Sequence, residues 1–395
     1  MKHLEDALVC YGANAISGRG GQGEFLRHMV YSLDQLQHAR VVSRSAKGCR
    51  SECLNIRRSG WRKAAFSAIQ RVAFLRRRRD LLTLIDDVDF DSGLSASVQG
   101  VQLLDGVMGQ CSKTFEALSS KRVPLVLTAL NMHVDELARM LADENRRLGI
   151  RTPSFVHPGM RKRVLREIER ATRIRVISAA AKQSFVERGS RPELVEILLP
   201  AVDLDHFHPV AQKDDVFRVL AVATIDPRKG IYYLLQAFEK AAIPNSELVI
   251  IGATGDPWSR QMLKHFLTKM NNIRIQSADV VKDPIEGTYG QASVFVHPAI
   301  EDGFALAVGQ ALACGKAVIT TRQTGASQLI KDGQNGYVLE CRDVDGLVDY
   351  LRLLARDRSL LSRLSAAAPD AVANLGYPSV AAQIAAFYSQ VLAEA

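Results

Sequence analysis

Two acidic residues and an amide in the last third of the chain have the chemistry of a sugar-binding site. Glu301 and Asp302 follow the apolar run 293–297, which predicts a strand, and a helix is predicted over residues 307–314. Carboxylates at the end of a strand accept hydrogen bonds from sugar hydroxyl groups. Gln310 lies within the first turns of that helix, where a polar side chain could reach a ribose. An acidic pair is an unusual neighbour for a buried strand end, so we interpret this stretch as a ligand site rather than a solvated loop.

A second stretch offers positive charge. Arg228 and Lys229 belong to the segment DPRKG, residues 226–230, between a predicted strand and a predicted helix. A lysine ammonium group is a compact charge with three donors, which suits a phosphate group at such a junction. Taken alone, the segment is more simply interpreted as an exposed charged turn. The phosphate interpretation therefore depends on the other motifs.

The segment GRGGQG, residues 18–23, matches the pattern G-x-G-x-x-G between a predicted strand and a predicted helix. Glycines let backbone N–H groups approach a phosphate, and the helix N-terminus adds favourable potential. A dinucleotide site needs an acid about 20 residues further on, but that region ends in Arg44. Three interpretations stay open: an anionic or sugar-bearing ligand, an NADP enzyme whose 2′-phosphate contacts Arg44, and a tight turn without a ligand.

The second half of the chain alternates strands and helices. Strands are predicted at residues 217–224, 247–252, 273–276, 293–297, 317–320 and 336–339, and helices at 231–242, 260–271 and 307–314. Short β-branched runs separated by helices predict a parallel sheet covered on both faces. Ligands of such α/β folds bind at the carboxyl ends of the strands.

The first half has the same alternation in a less regular form. Strands are predicted at residues 7–11, 39–43, 101–104, 124–128, 174–178 and 193–199, and helices at 23–32 and 181–188, while much of 44–100 stays open. A polar, proline-flanked connector at residues 200–213 separates the halves. We therefore predict two Rossmann-like domains facing across a cleft, residues 1–208 and 209–378, and a final helix over 379–395 that crosses back to the first domain.

The positive charge of the chain is unevenly placed. The net charge of the 395 residues is +9, but residues 1–208 alone carry +10. Basic runs at residues 76–79 and 161–175 suggest a helix on an anionic membrane surface, with an exposed helix on a protein core as the equal alternative. Nucleic acid is disfavoured because aromatic residues make up only 6% and no binding module is present.

The six cysteines predict free thiols in a reducing compartment. Cys49 and Cys53 form an isolated C-x3-C pair without a second pair, which is neither a metal-ligand pattern nor a disulfide framework. No apolar run approaches the ~18 residues that span a bilayer, and the N-terminus is a poor signal peptide. We therefore expect a cytoplasmic protein, without a bound metal.

Several motifs in fixed order resemble one family. The segments VLAVATIDPRKGIYYLLQAF, ELVIIG, VFVHPAIEDGFALAVGQALACGKAVITT and GASQLIKDGQNGYVL are similar to retaining GT-B-fold glycosyltransferases of family 4, or group 1. The resemblance covers residues 217–360 and extends more weakly into the first half. It implies a nucleotide-diphosphate sugar held mainly by the C-terminal domain and an acceptor bound by the N-terminal domain. That sugar is a co-substrate, and no cofactor is implied.

The resemblance assigns roles to individual residues. Lys229, with Arg228, is expected on the donor diphosphate, together with Gly20 and Gly21 of the glycine segment. The donor sugar and ribose are expected beside Asp302 and Gln310, with the intervening segment Gly303, Phe304, Ala305 and Leu306. His133 resembles the family's histidine near the anomeric carbon. Asp302, with Glu301 as its competitor, completes the expected catalytic set.

Three positions depart from the family pattern. Thr224 stands where the family usually has an arginine, and Gln310 and Gln328 replace glutamates. A glutamine keeps a hydrogen-bond acceptor but loses the charge and adds donors. The expected activity is a retaining, metal-independent glycosyltransferase of the hexosyltransferase type, acting on a glycan or lipid-linked acceptor in cell-surface polysaccharide synthesis. The alternatives are a non-catalytic nucleotide-sugar-binding paralogue and, with less support, an NADP-dependent oxidoreductase.

Overall fold

The computed structural model describes residues 2–17, 20–57, 79–150, 156–210, 214–254, 256–277 and 286–395, with single positions between them. The chain divides into two compact units, each with its own parallel sheet. The first unit comprises Met1–Ala142, Arg151–Leu199 and Tyr377–Ala395, and the second comprises Asp143–Ile150 and Pro200–Gly376.

The sheet of the first unit has the strand order β3-β2-β1-β4-β5-β6-β7. Its strands are β1 (Val9–Ile16), β2 (Ala39–Ser45), β3 (Glu52–Asn55), β4 (Leu103–Val107), β5 (Leu125–Ala129), β6 (Arg173–Val176) and β7 (Val195–Ile197). The helices of this half are α1 (Lys2–Glu5), α2 (Gly20–Leu33), α3 (Arg79–Ser97), α4 (Ser112–Ser119), α5 (Val134–Arg147), α6 (Pro158–Arg170) and α7 (Ala179–Glu187). All pairings in the sheet are parallel, as the alternation of strands and helices predicts.

The sheet of the second unit has the order β10-β9-β8-β11-β12-β13. Its strands are β8 (Phe217–Val222), β9 (Ser246–Ile251), β10 (Ile273–Gln276), β11 (Val294–His297), β12 (Ala317–Thr321) and β13 (Gly336–Leu339). The helices are α8 (Ile231–Ala241), α9 (Pro257–Lys269), α10 (Glu286–Gln291), α11 (Leu306–Ala313), α12 (Val344–Arg356) and α13 (Arg358–Ala367). Strands β11 and β12 are buried along their whole length, as expected for a parallel sheet covered on both faces.

The last helix, α14 (Tyr377–Ala393), belongs to the first unit and packs on α1 and α2. Its apolar residues Val380, Ile384, Phe387 and Val391 recur at helical spacing and are buried. Within the part of the chain that the structure describes, no helix is both long and apolar enough to cross a membrane.

The sequence predicted the second sheet more closely than the first. Every predicted strand and helix of the second half ends within three residues of the observed bounds. In the first half β1 continues to Ile16, β7 is only three residues long, and α2 begins at Gly20, so Gly20 and Gly21 lie in a first helical turn rather than in a loop. Strand β3 and helices α3 to α5 were not predicted, and α6 was anticipated only as a helix over the basic run at residues 161–175.

The expectation that all six cysteines are free thiols was wrong for one pair. Cys49 and Cys53 form a disulfide in the segment between β2 and β3, with their Cα atoms 6.5 Å apart. That Cα separation lies within the usual range for a disulfide. The side chain of Asp34 holds the same segment by accepting bonds from the backbone N–H groups of Arg50 and Ser51. Cys10, Cys111 and Cys314 form no disulfide among the described residues and are buried, as is common for cysteine side chains.

A buried polar cluster joins α14 to the sheet of the first unit. Asp105 on β4 accepts a hydrogen bond from the Tyr388 hydroxyl at 2.6 Å and one from the Thr128 hydroxyl at 2.5 Å. The guanidinium of Arg175 lies 3.3 Å from the same carboxylate and stacks over the ring of Phe25. Because a buried carboxylate is costly without donors, these contacts fix α14 against β4 and β6.

A close backbone approach joins the loop after β8 to the loop after β11. The backbone N–H of Ile300 donates to the carbonyl of Arg228 at 2.8 Å. Gly230 has φ of +65°, and a Cβ atom there would lie 1.9 Å from the carbonyl oxygen of Pro298. Glycine is therefore required at position 230 both by the backbone conformation and by the space available.

The polar cluster predicts a stability difference for Tyr388→Phe. The substitution removes one donor from a buried carboxylate, so the free energy of unfolding should fall by about 1–3 kcal/mol. Urea unfolding followed by circular dichroism measures this change. The control is Tyr31→Phe on α2, whose side chain is 37% exposed and should leave stability within about 0.5 kcal/mol. Equal stability of the two variants would show that the cluster does not hold α14.

The close approach predicts that Gly230→Ala destabilises the second unit. Both the left-handed backbone and the collision with Pro298 oppose the new methyl group, so a loss above about 1 kcal/mol is expected. Thermal unfolding checks this against Gly287→Ala on α10, where an added Cβ meets no atom within 4 Å. If Gly230→Ala unfolds at the same temperature as the wild type, the close approach of Gly230 to Pro298 does not require glycine.

Candidate functional site

The strand order of the second unit brings the two predicted chemical segments together. Strand β8 lies beside β11 in the sheet, so the loops that follow them leave the same edge. The loop after β12 joins them, because Gly325 donates its N–H to the carbonyl of Asp302 at 2.8 Å. The Lys229 segment, the acidic pair and the turn that contains Gln328 therefore form one cluster at this edge.

Neighbouring cations pair with neighbouring carboxylates in this cluster. Lys229 bonds to the Oδ2 atom of Asp302, and the Arg228 Nη1 atom lies 3.1 Å from the Oε2 atom of Glu301. The formal charges of the two cations and the two carboxylates sum to zero. The two cations expected to bind a diphosphate are thus each held by a carboxylate.

Asp302 is held by three donors. Its Oδ2 atom also lies 3.0 Å from the Nε2 atom of His297, and its Oδ1 atom accepts from the backbone N–H of Ala305 at 3.1 Å. Burial alone would raise the pKa of Asp302, but the charge of Lys229 and the hydrogen bond from His297 outweigh it and hold that pKa well below its usual range. Asp302 is therefore a fixed, ionised acceptor at the start of α11.

Glu301 has an unusual environment for a carboxylate. Its side chain is fully buried, and its Oε1 atom has no hydrogen-bond partner among the described residues. Its other oxygen bonds to Arg228. A buried oxygen without a donor is costly, so the neighbouring charge of Arg228 is the main stabilising contact of Glu301.

The residue predicted for a ribose already has a partner. The Oε1 atom of Gln310 accepts a hydrogen bond from the Tyr289 hydroxyl at 3.0 Å. Tyr289 is fully buried and packs edge-on against Phe207. The Gln310 side chain also carries amide N–H donors, where a glutamate would have offered a second acceptor oxygen.

The other predicted site residues of the second unit lie in the segments that follow β8 and β11. Phe304 is buried, and Ala305 has φ of +65° immediately before α11 begins at Leu306. Gly303 connects this turn to Asp302. Thr224, which replaces the family arginine, is exposed after β8.

Three other predicted site residues belong to the first unit. His133 is buried at the start of α5, with its ring edge-on to Phe185 and its Nδ1 atom accepting from the backbone N–H of Asp135 at 3.2 Å. Burial lowers the pKa of His133, so the ring is neutral at pH 7. An added Cβ at Gly20 or Gly21 meets no described atom within 4 Å, so packing does not explain these glycines.

Arg44 does not offer a free cation for a 2′-phosphate. Its guanidinium lies 3.0 Å from Asp86 and 3.1 Å from Asp89, and its Nε atom donates to Asn14 at 2.8 Å. This pairing removes the feature on which the NADP interpretation depended.

The basic run at residues 161–175 is largely paired within the protein. Arg161 bonds to Asp135, Arg163 to Asp91, Arg173 to Glu394, and Arg175 is buried beside Asp105. Because these arginines are paired with carboxylates, the run does not present a uniformly cationic surface to a membrane. The run 76–79 lies outside the described residues, except for Arg79 at the start of α3.

Sequence reasoning missed two residues of the cluster, His297 and Tyr289. His297 is the polar last residue of an otherwise apolar strand, five positions before Asp302, and that placement was a usable signal. Tyr289 gave no signal, because its contact with Gln310 depends on how α10 packs beside α11.

The residues of this cluster lie in a segment that matches a known family. Residues 204–371 match the family model described as glycosyl transferases group 1. A D-inositol 3-phosphate glycosyltransferase from Streptomyces bingchenggensis is 25% identical in an alignment of 224 residues that covers 52% of this chain and 49% of that protein. CapM, a capsular polysaccharide biosynthesis glycosyltransferase from Staphylococcus aureus, is 31% identical over 37% of this chain and 39% of its own length. The chain thus matches about half, or less, of the length of these relatives.

Solved structures share the fold over nearly the full length of the chain. Sucrose-phosphate synthase from Thermosynechococcus elongatus has a TM-score of 0.74 at 18% identity, over 98% of this chain and 100% of that one. HepE from Anabaena, solved with UDP-glucose, has a TM-score of 0.71 at 14% identity, over 97% and 99%. Residues 204–371 thus match the group 1 glycosyl transferases, and the chain has the GT-B fold of these structures.

Proposed function

We propose that the protein is a glycosyltransferase that moves a sugar from a nucleotide-diphosphate donor to a glycan or lipid-linked acceptor. The observation that carries this proposal is the paired cluster at the edge of the second sheet, within the residues that match the family. Its two cations suit a diphosphate, and its carboxylates suit sugar hydroxyl groups. HepE, which shares the fold, was solved with UDP-glucose, and this supports a sugar nucleotide as the donor.

Donor binding at such a site is an exchange of partners. The Lys229 ammonium leaves the Asp302 carboxylate for the oxygens of the donor diphosphate. Asp302 is then free to accept bonds from the hydroxyl groups of the transferred sugar. Each group remains hydrogen-bonded before and after, so the exchange avoids the cost of an uncompensated buried charge.

The same groups stabilise the leaving diphosphate. Lys229, Arg228 and the N–H groups at the start of α11 supply positive potential where charge develops as the glycosidic bond breaks. We propose that these groups act without a divalent ion, and that the acceptor hydroxyl attacks from the face the diphosphate leaves, with retention at the anomeric carbon. His133 is proposed as a further catalytic residue. The resemblance of the motifs supports these three points.

The acceptor side of the proposal concerns cell-surface polysaccharides. CapM is named for capsular polysaccharide biosynthesis, and another relative from Salmonella typhimurium is a lipopolysaccharide 1,2-N-acetylglucosaminetransferase, 27% identical over 37% of this chain. We propose a cytoplasmic protein that works at the membrane face where such acceptors are built. Lys162 and Arg166 on α6 are exposed and offer a small cationic surface for it.

A non-catalytic sugar-nucleotide-binding protein is the second candidate. The Tyr289–Gln310 hydrogen bond favours it, because it uses one of the two lone pairs of the acceptor oxygen expected for a ribose. Binding without turnover distinguishes this candidate from the enzyme.

Lys229→Met tests the proposed role of the ammonium group. Removing one cation from a developing diphosphate charge should lower kcat/KM by about 10²-fold or more. Release of nucleoside diphosphate is measured across UDP-glucose, UDP-N-acetylglucosamine and GDP-mannose. Lys264→Met on α9, an exposed lysine of the same unit, is the control and should be unchanged. Normal turnover by Lys229→Met would exclude Lys229 from the site, and wild-type binding without any release would select the non-catalytic candidate.

Vesicle flotation tests the membrane part of the proposal. Binding to vesicles with an anionic lipid should fall as NaCl rises from about 0.05 to 0.5 M, because screening shortens the reach of surface charge. Vesicles of neutral lipid are the control, and Lys162→Glu with Arg166→Glu should weaken binding. Equal binding to both vesicle types would contradict an electrostatic membrane contact.

A further inference from the structure

One oxygen of Asp302 is shared by two donors from different elements. Its Oδ2 atom accepts from the Lys229 ammonium, in the turn after β8, and from the His297 ring, at the end of β11. The carboxylate is ionised and can only accept, so the Nε2 atom of His297 carries a proton even when the ring is neutral. The two donors therefore compete for the charge of one carboxylate.

The surroundings of His297 decide whether its ring gains a second proton. The charged groups that face it are Asp302, Lys229 and Arg228. Burial lowers the pKa of His297, the two cations lower it further, and only Asp302 raises it. The ring is thus neutral at pH 7 while Lys229 stays beside Asp302.

An anionic ligand reverses this balance in three ways. It draws the Lys229 ammonium away from Asp302, which removes a repulsive neighbour of His297. It leaves Asp302 with His297 as its nearest possible cation. Its own negative charge also favours a positive ring. All three changes favour the doubly protonated ring.

We propose that His297 and Lys229 are alternative partners of Asp302, and that His297 takes up a proton from solvent when the donor diphosphate draws Lys229 away. His297 is a positioning residue in this arrangement: it keeps Asp302 oriented after Lys229 has left. Its own contact is with Asp302, not with the sugar.

The proposal rests on the proposed donor site and predicts a pH dependence of defined sign. The complex binds more protons than the free protein, so donor affinity rises as the pH falls through the range where the bound-state histidine titrates. The gain is at most about tenfold per pH unit, which is the limit for one coupled proton. At high pH the dependence disappears, because neither state binds the proton.

The first test needs no donor. The ring protons of His297 are followed by NMR against pH in the wild type and in Lys229→Met, with His297→Gln identifying the signal. Loss of the ammonium should raise the pKa of His297, while the control Lys264→Met should leave it unchanged. An unchanged titration in Lys229→Met overturns the proposal, whichever sugar nucleotide the protein uses.

The second test measures the proton itself. Titration calorimetry with UDP-glucose and with GDP-mannose, in buffers of different ionisation enthalpy near pH 6.5, gives the number of protons taken up on binding. Both probes carry a fully ionised diphosphate at this pH, so uptake reports on the protein. Wild-type protein and the control His265→Gln, an exposed histidine on α9, should take up the same fraction of a proton.

His297→Gln should abolish this uptake, because glutamine still donates to Asp302 but cannot gain a proton. Retained binding by this variant would show that the hydrogen bond survives without the titration. Proton uptake that is absent in the wild type, or unchanged in His297→Gln, overturns the proposal. If neither nucleotide binds, the proposed donor function fails, and the NMR titration alone decides whether the two donors compete.

Discussion

The cluster of the second unit depends on the need to pair charges that the sheet edge buries. Arg228 and Lys229 lie side by side in sequence, and so do Glu301 and Asp302, and the two pairs face each other. Removing one partner of a buried ion pair typically costs about 3–5 kcal/mol, because the other charge is left without compensation. The strand order that sets β8 beside β11 and the glycine that lets their loops touch both serve this pairing.

The first unit also buries a carboxylate, but surrounds it with hydrogen-bond donors. Asp105 is as deeply buried as Glu301, but Tyr388, Thr128 and Arg175 all surround it. Its acceptor atoms are satisfied, so this cluster has the character of a structural joint between α14 and the sheet. Glu301 keeps an oxygen without a partner among the described residues, and Asp302 shares one oxygen between two donors. Incomplete or shared pairing is what leaves a cluster able to change partners.

The sequence predicted the parts of the fold whose signal is local. Strands β8, β9 and β11 are short, mostly apolar runs that are largely buried on both faces, which leaves little ambiguity in type or position. Helices α3 and α6 are rich in charged residues whose partners lie far along the chain, such as Asp91 with Arg163, so their buried faces were not visible as an apolar pattern. The disulfide between Cys49 and Cys53 was wrongly excluded, because its formation depends on the bend between β2 and β3.

The structure brings together four residues that the motifs had singled out, and it shows a pairing that the motifs did not predict. The motifs identified two cations and two carboxylates by position, and the structure adds that they neutralise one another: Lys229, Arg228, Glu301 and Asp302.

The neutrality of this cluster changes what the binding of a diphosphate requires. A free pair of cations would attract an anion over a Debye length of about 10 Å, whereas a neutral cluster attracts it only at short range, once its geometry permits exchange. In the proposed exchange, selection among anions depends on whether the ligand also offers hydroxyl groups to Asp302, the carboxylate that Lys229 releases. A simple phosphate lacks them, and a sugar nucleotide supplies both halves of the exchange. The near-neutral charge of the second half of the sequence is therefore compatible with an anion site, because the two cations of this site are each paired with a carboxylate.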